Sequence, residues 1–277
     1  MKEVFEIVKA VEEVRSQNPL VVSWTNFVTI NFVANAQLAV GGRAAMCFLP
    51  DEANPITYLA KAVYINMGTL QPIAAESIPQ AAKSAVEFNK PWTLDPVAAG
   101  LGDTRNCIIK ELKRCPPNII RGNASEVIAL ANLWNLQTSQ KGKVEGVDST
   151  NTVDEAFQSA AELVKFTGGA VAVSGETDLI LGNKKAYHIT GGSKMLKSIT
   201  GAGCSLGGVI AVFSAVTDSL TAALTGSLVY KWASQKAQKS AAGTASFQND
   251  FIDNLSLISV DELSEYAQKH LREVNIQ

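Results

Sequence analysis

Short apolar runs alternate with longer amphipathic stretches along this chain, and that alternation constrains its fold more than any single residue does. Residues 44–48, 62–66, 91–95, 117–120 and 170–174 are brief, largely apolar and bounded nearby by Gly, Asn, Asp or Pro, as buried strands are. Between them, residues 28–40, 73–89, 103–113, 124–133 and 153–166 carry helical spacing. The alternation predicts an α/β fold of three layers, with a mainly parallel central sheet covered by helices on both faces. Residues 179–181 and 185–189, joined through Gly182-Asn183, predict an antiparallel hairpin appended to that sheet. After Gly203 the pattern is helical over 205–216, 220–240, 246–255 and 260–272, and no strand is expected there. With no internal repeat or long linker, residues 1–277 read as one domain.

Composition narrows the partners. The sequence is 47% hydrophobic, enough for a sizeable core, while 18% charged residues are sparse for a surface. That pairing points to further surface buried between subunits. A formal net charge of −2 argues against a nucleic-acid or anionic-membrane partner, since both need a basic field. Near the N-terminus, Val4, Ile7, Val8, Val11 and Val14 are interleaved with Lys, Glu and Arg. This is an amphipathic helix, not the unbroken apolar core of a signal peptide. No stretch reaches the roughly 18 uninterrupted apolar residues of a spanning helix. Cys47, Cys107, Cys115 and Cys204 form no CxxC pair and have no His cluster beside them. Zinc and a disulfide framework are therefore not expected, and a reducing cytoplasm is.

Ligands of open α/β sheets bind beyond the carboxyl ends of the strands. Four segments meet that rule: Asn66-Met67-Gly68-Thr69, Asp95-Pro96-Val97, Arg121-Gly122-Asn123 and Ser174-Gly175-Glu176. Each also reads as an ordinary strand-end turn. A stronger signal is Thr200-Gly201-Ala202-Gly203-Cys204, set directly before an apolar helix. Its glycines permit a close ligand approach, and the helix aims free N–H groups and a positive dipole end at the same spot. Such an anion hole suits a phosphoryl group in flight. A tight turn without chemistry is the alternative.

Gly201, Gly203 and Gly207 also match a loose dinucleotide pattern, but that motif expects further βαβ units after it. There is no GxxxxGK[ST] phosphate loop. At a helix N-terminus the Cys204 thiol is expected to have a lowered pKa. It could serve as a nucleophile, a redox sensor or a modest base, or simply fill a tight turn. Neither His188 nor His270 has a context that marks it as its partner. Asp95 and Glu126 are the carboxylates best placed to organise Mg²⁺, directly or through water. Glu126 also fits a first-turn helix acid, and Asp95 a strand-end turn.

Taken in order, these motifs resemble those of the hydroxyethylthiazole kinases, members of the ribokinase-like superfamily. The resemblance starts with Ser23-Trp24-Thr25-Asn26, Asn31-Phe32-Val33-Ala34-Asn35, Asn66-Met67-Gly68-Thr69-Leu70 and Asp95-Pro96-Val97. It continues through Arg121-Gly122-Asn123-Ala124-Ser125-Glu126, Gly146-Val147-Asp148-Ser149, Ser174-Gly175-Glu176-Thr177-Asp178, Thr200 to Cys204, and Gly243-Thr244-Ala245-Ser246-Phe247. It implies phosphorylation of 4-methyl-5-(2-hydroxyethyl)thiazole by ATP and Mg²⁺, a salvage step toward thiamine. By analogy Arg121, Ser174 and Gly203 would contact ATP, and Met46, Gly201, Asn26 and Gly68 the thiazole alcohol. Asp95 and Glu126 would serve the metal, and Cys204 would stand where related kinases place an aspartate base. The family's homotrimer, with active sites at subunit boundaries, would account for the sparse surface charge.

The chain departs from the family pattern at Phe27, at Arg43 (within Gly41-Gly42-Arg43-Ala44-Ala45) and across residues 98–105, where Thr104 is shifted. Phe27, Arg43 and Thr104 are expected to reshape the alcohol pocket. Two alternatives follow from these departures: a kinase for another small heterocyclic alcohol, or a ligand-binding protein of the same fold that has lost catalysis.

Overall fold

The apolar spacing near the N-terminus folds as read: in α1 (Lys2–Gln17) Ile7, Ala10, Val11 and Val14 form one buried face. In this computed structural model residues 2–136, 153–182 and 184–274 are described. The Gly146-Val147-Asp148-Ser149 motif and Asn183 of the hairpin turn lie outside them.

The chain continues through β1 (Leu20–Trp24), α2 (Ile30–Ala39), β2 (Arg43–Met46), a 3₁₀ turn (Pro50–Glu52) and α3 (Ala53–Leu59). Next come β3 (Ala62–Asn66), α4 (Ala74–Glu87), β4 (Trp92–Asp95), α5 (Asp103–Leu112), β5 (Ile119–Asn123), α6 (Ala124–Leu133) and α7 (Phe157–Thr167). After them lie β6 (Ala170–Ser174), β7 (Asp178–Gly182), β8 (Lys185–Ile189) and a 3₁₀ segment (Lys194–Ser198). The last elements are α8 (Ala202–Ser214), α9 (Ser219–Ser240), α10 (Thr244–Leu257), α11 (Val260–His270) and β9 (Leu271–Val274).

The strands pair in the order β2-β1-β3-β4-β5-β6-β7-β8-β9. From β2 to β6 they run parallel, and β7, β8 and β9 join antiparallel. Successive strand residues point to opposite faces. Tyr64 therefore packs with α1, α2 and α8–α11, whereas Val63 and Ile65 pack with α3–α7. Helices cover both faces, giving the three layers that the alternation predicted.

Several expectations need correcting. Strand β1 and helix α3 were not anticipated. β2 begins at Arg43 and ends at Met46, so residues 47 and 48 fall outside it. β5 extends to Asn123, which places Arg121 within a strand and not in the loop beyond it. α7 starts at Phe157, and α8 opens three residues before Ser205. The C-terminal stretch is not all helical, because β9 follows α11. As an edge strand paired with β8 alone, β9 keeps Arg272 and Glu273 exposed, and so carries no apolar run to betray it.

Candidate active site

Residues Met46, Asn66, Asp95, Asn123 and Ser174 are the last of β2, β3, β4, β5 and β6. Parallel pairing sets Asn66 beside Asp95 and Asn123 beside Ser174. Since β1 is flanked by β2 and β3, the chain steps from β1 to β2 on one side and then crosses to β3 on the other, reversing the winding direction. The crevice at such a switch point is where ligands of open α/β sheets bind. Asn26 and Gly68, each two residues past a strand, stand there.

A hydrogen-bonded line crosses these strand ends. Asn26 Nδ2 donates to Asn66 Oδ1 at 2.9 Å, and the Gly68 N–H donates to the same oxygen at 3.0 Å. Asn66 Nδ2 donates to the Tyr64 hydroxyl and to Asp95 Oδ2, both at 3.1 Å. Tyr64 Oη lies 2.6 Å from the Cys204 carbonyl and 3.1 Å from Asp95 Oδ2. One phenolic proton can serve only one of these at a time. Burial, then Asp95, raises the Tyr64 pKa well above the usual tyrosine range, so that proton stays on. Arg121 Nη1 sits 3.3 Å from Asp95 Oδ2, while its Nε and Nη2 donate to Ser174 Oγ at 3.2 and 3.0 Å.

Asp95 is fully buried, and its Oδ1 has no hydrogen-bond partner among the described residues. Burial pushes its pKa upward, with Arg121 the main opposing influence. Glu126, also buried, closes a capping box: its Oε2 accepts from the Asn123 N–H at 2.8 Å, while Asn123 Oδ1 accepts from the Glu126 N–H at 2.9 Å. Its Oε1 accepts from the Ala98 N–H at 3.2 Å. Ala98 holds that position at φ +57°, a left-handed conformation that costs a non-glycine residue about 1 kcal/mol or more. Burial and then Asp95 raise the Glu126 pKa to about 7.

The turn into α8 meets this line from above. Gly201 caps the helix at φ +89°, where a Cβ would also press on Thr29 at 3.0 Å. A Cβ on Gly203 would fall 2.8 Å from Arg121 Nη1, so the guanidinium lies directly across the first helical turn. Amides of a first turn lack intrahelical partners, and their dipole favours an anion there. Cys204 Sγ is 3.8 Å from Asn26 Nδ2. The expected lowering of its pKa is wrong: burial, and then the Asp95 carboxylate, push the thiol upward. Desolvation outweighs the Arg121 charge and the side-chain hydrogen bonds that favour the thiolate. His188 lies near Asp154 and His270 near Thr190, so neither forms a pair with Cys204.

Beside Asn26 and Gly68 a groove is walled by Trp24, Phe27, Phe48 and Ile73. Phe27 and Phe48 stack there at 4.3 Å between ring centroids. Met46 and Gly201 do not line it. Met46 packs toward the α2 and α8 side of the sheet, and Gly201 lies against Thr29 and Phe32. Arg43, expected to reshape this pocket, opens β2 at the end away from Met46 and donates to the Asn18 carbonyl. Thr104 is exposed on α5, and the neighbouring Arg105 ties the start of α5 to the Met67 carbonyl at 3.0 Å. A larger cavity, about 610 Å³, lies elsewhere, between α1, α11 and the β8–β9 edge. None of the strand-end residues lines it, and the chemistry outweighs cavity size in placing the site.

Sequence reasoning missed Tyr64 as the hub of this network. One signal was available, because a tyrosine within a buried strand must find a partner for its hydroxyl.

A family model described as the hydroxyethylthiazole kinase family matches residues 11–261. A hydroxyethylthiazole kinase of Bifidobacterium longum subsp. infantis is 46% identical over 94% of this chain and 88% of its own length. Among solved structures, a hydroxyethylthiazole kinase from Pyrococcus horikoshii OT3 superposes with a TM-score of 0.85 at 29% identity, covering 97% of this chain and 99% of that one. A ribokinase-like superfamily protein from Enterococcus faecalis V583 shares the fold, with a TM-score of 0.61 at 13% identity, covering 94% and 95% of the two chains. The fold is ribokinase-like.

Proposed function

The chain belongs to the hydroxyethylthiazole kinase family, and on that premise we propose that it transfers the γ-phosphoryl group of ATP to the hydroxyl of 4-methyl-5-(2-hydroxyethyl)thiazole in thiamine salvage. One observation carries the siting of this reaction. The Arg121 guanidinium lies between Asp95, Ser174 and the first turn of α8, which joins a cation to a helix N-terminus at the strand ends.

In this reading Arg121, Ser174 and Gly203 hold the ATP phosphates. Arg121 supplies charge, and the α8 amides face the oxygens on which charge builds. Asn26 and Gly68 orient the alcohol beside the Phe27–Phe48 wall, while Met46 and Gly201 stand outside that groove on the α2 and α8 side and are assigned to the alcohol by the family resemblance alone. Cys204 borders the point of transfer. With its thiol held protonated it is a poor nucleophile and a weak base, and a loose phosphoryl transition state asks for little base.

Magnesium fits the carboxylates present. Asp95 Oδ1 is a buried hard oxygen without a partner among the described residues, and Glu126 stands near enough to act on Asp95 and Arg121 electrostatically. Among the described residues no group of three or more His, Cys, Asp or Glu could cage a metal. That accords with an ion held by one or two carboxylates, phosphates and water. When bound, the ion neutralises charge on the transferring phosphates.

The exposed Phe27, Val28, Leu49, Tyr58 and Leu59, together with the sparse charge, support a homotrimer with sites at subunit boundaries. The continuous sheet supports reading residues 1–277 as one kinase domain. No described helix is long and apolar enough to cross a membrane, and the free cysteines support a cytoplasmic enzyme. The proposal is tested by ADP release with ATP, Mg²⁺ and a panel of alcohols. Turnover should be fastest with the hydroxyethylthiazole. A faster pyrimidine or pyridoxal-type alcohol would reassign the substrate, and no release with any of them would leave a non-catalytic binder.

A further inference from the structure

Lys231 carries a charge on the long helix α9, yet it is only 6% exposed. Its Nζ lies 3.0 Å from the Glu176 carbonyl, 3.4 Å from the Gly175 carbonyl, 3.4 Å from the Gly191 carbonyl and 3.3 Å from Asp178 Oδ1. Asp178 is itself buried, and its Oδ1 also accepts from the Gly175 N–H at 2.9 Å. An ammonium has three protons to give, and four oxygens from separate stretches of chain surround this one.

Those oxygens belong to two connections. Gly175 and Glu176 lie in the turn from β6 into β7 and Asp178 is the first residue of β7; the turn follows Ser174, whose hydroxyl accepts from Arg121 Nε and Nη2. Gly191 is the second residue of the connection from β8 toward Gly201 and α8. The Gly192 N–H, next in line, donates to the Tyr266 hydroxyl, which donates to Gln235, one turn along α9 from Lys231. A buried ion pair is weak grounds for stability, because an apolar side chain of like size often does as well. What a cation does here, and an apolar side chain could not, is draw carbonyls of two loops to one point.

We propose that Lys231 is a positioning residue for the nucleotide: its ammonium fixes the turn after Ser174 and the connection after β8 at the spacing that lets ATP phosphates reach Arg121 and the first turn of α8. This rests on the kinase reading above, with ATP on the Arg121–Ser174 side. Lys231 touches none of the residues assigned to the alcohol, so its effect falls on one substrate.

The experiment begins with the unaltered enzyme, which must release ADP in response to the thiazole alcohol. If it does not, the functional reading fails and this proposal with it. In Lys231→Ala the KM for ATP should rise about tenfold or more, as loss of charge-assisted hydrogen bonds implies, while the KM for the alcohol stays within about twofold. Added propylammonium, which replaces the missing stem and charge, should restore the ATP KM, and propanol of the same size should not. Should Lys231→Ala fail to fold, Asp178→Asn keeps the shape and weakens the clamp, and should raise the ATP KM selectively. An unchanged ATP KM in the folded variant, equal rises for both substrates, or equal rescue by propanol would overturn the proposal.

Discussion

Arg121 Nη1 lies 3.3 Å from Asp95 Oδ2 in a buried ion pair, and the same guanidinium spans to Ser174 Oγ and to the first turn of α8. The pair ties β4 to β5, and through Ser174 to β6. It also sets a cation and a partly satisfied carboxylate against a helix N-terminus. Stability and chemistry are thus coupled at one point of the sheet.

Breaking that pair from one side strands the other charge. Arg121→Met should cost about 3–5 kcal/mol of stability, because Asp95 is left buried and unpaired. Urea unfolding would measure this, and Arg121→Met combined with Asp95→Asn should recover part of the loss. A single variant as stable as the parent would contradict the pairing.

Gly203→Ala tests the close approach of Arg121 to α8. The added methyl would sit 2.8 Å from Nη1, and the guanidinium must move to admit it. We expect kcat/KM for ATP to fall about 10–100-fold, as when a preorganised charge is displaced, with the helix intact by circular dichroism.

Glu126 sets a pH dependence of stability. Its folded pKa of about 7 stands above the ordinary carboxylate value of 4.5. Between those limits the folded chain binds a proton that the unfolded chain has lost. Stability therefore falls as pH rises through this window, and the penalty is fully present above about pH 7. In metal-free protein with a chelator present, Tm should decline from pH 5 to pH 8 more steeply for the parent than for Glu126→Gln.

The four cysteines should separate by environment. Cys107 is exposed, whereas burial and Asp95 hold the Cys204 thiol protonated. Iodoacetamide at neutral pH should therefore label Cys107 well before Cys204, as peptide mass spectrometry would show. Cys204→Asp should keep kinase activity, since a loose phosphoryl transition state asks for little base and the protonated thiol supplies none that a carboxylate would have to replace. Fast labelling of Cys204 would restore the activated thiolate.

The layers and the strand ends could be read from the sequence because they follow from local periodicity and turn chemistry. Strand β6 and helix α6 were read to the residue for that reason. Asp95, Arg121, Ser174 and Gly203 were nominated one at a time, but their convergence on the Arg121 guanidinium depends on parallel register and on where α8 docks. Tyr64 and Lys231 escaped notice because each is polar at its tip alone: one hides in an apolar strand, the other on a long helix whose buried side depends on packing. Arg43 was misplaced because a departure from the family pattern was weighed above its position: it opens β2, and ligands bind beyond the carboxyl ends of strands. β9 lacks an apolar run because it is an edge.

The most direct test is a structure of the protein with the thiazole alcohol and a non-hydrolysable ATP analogue. The alcohol oxygen and the γ-phosphate should meet beside Cys204, with the phosphates on Arg121 and the first turn of α8, and the ring near Asn26 and Phe27. Density for either ligand in the cavity between α1 and α11, or two ligands that do not converge at Gly201 to Cys204, would contradict the account.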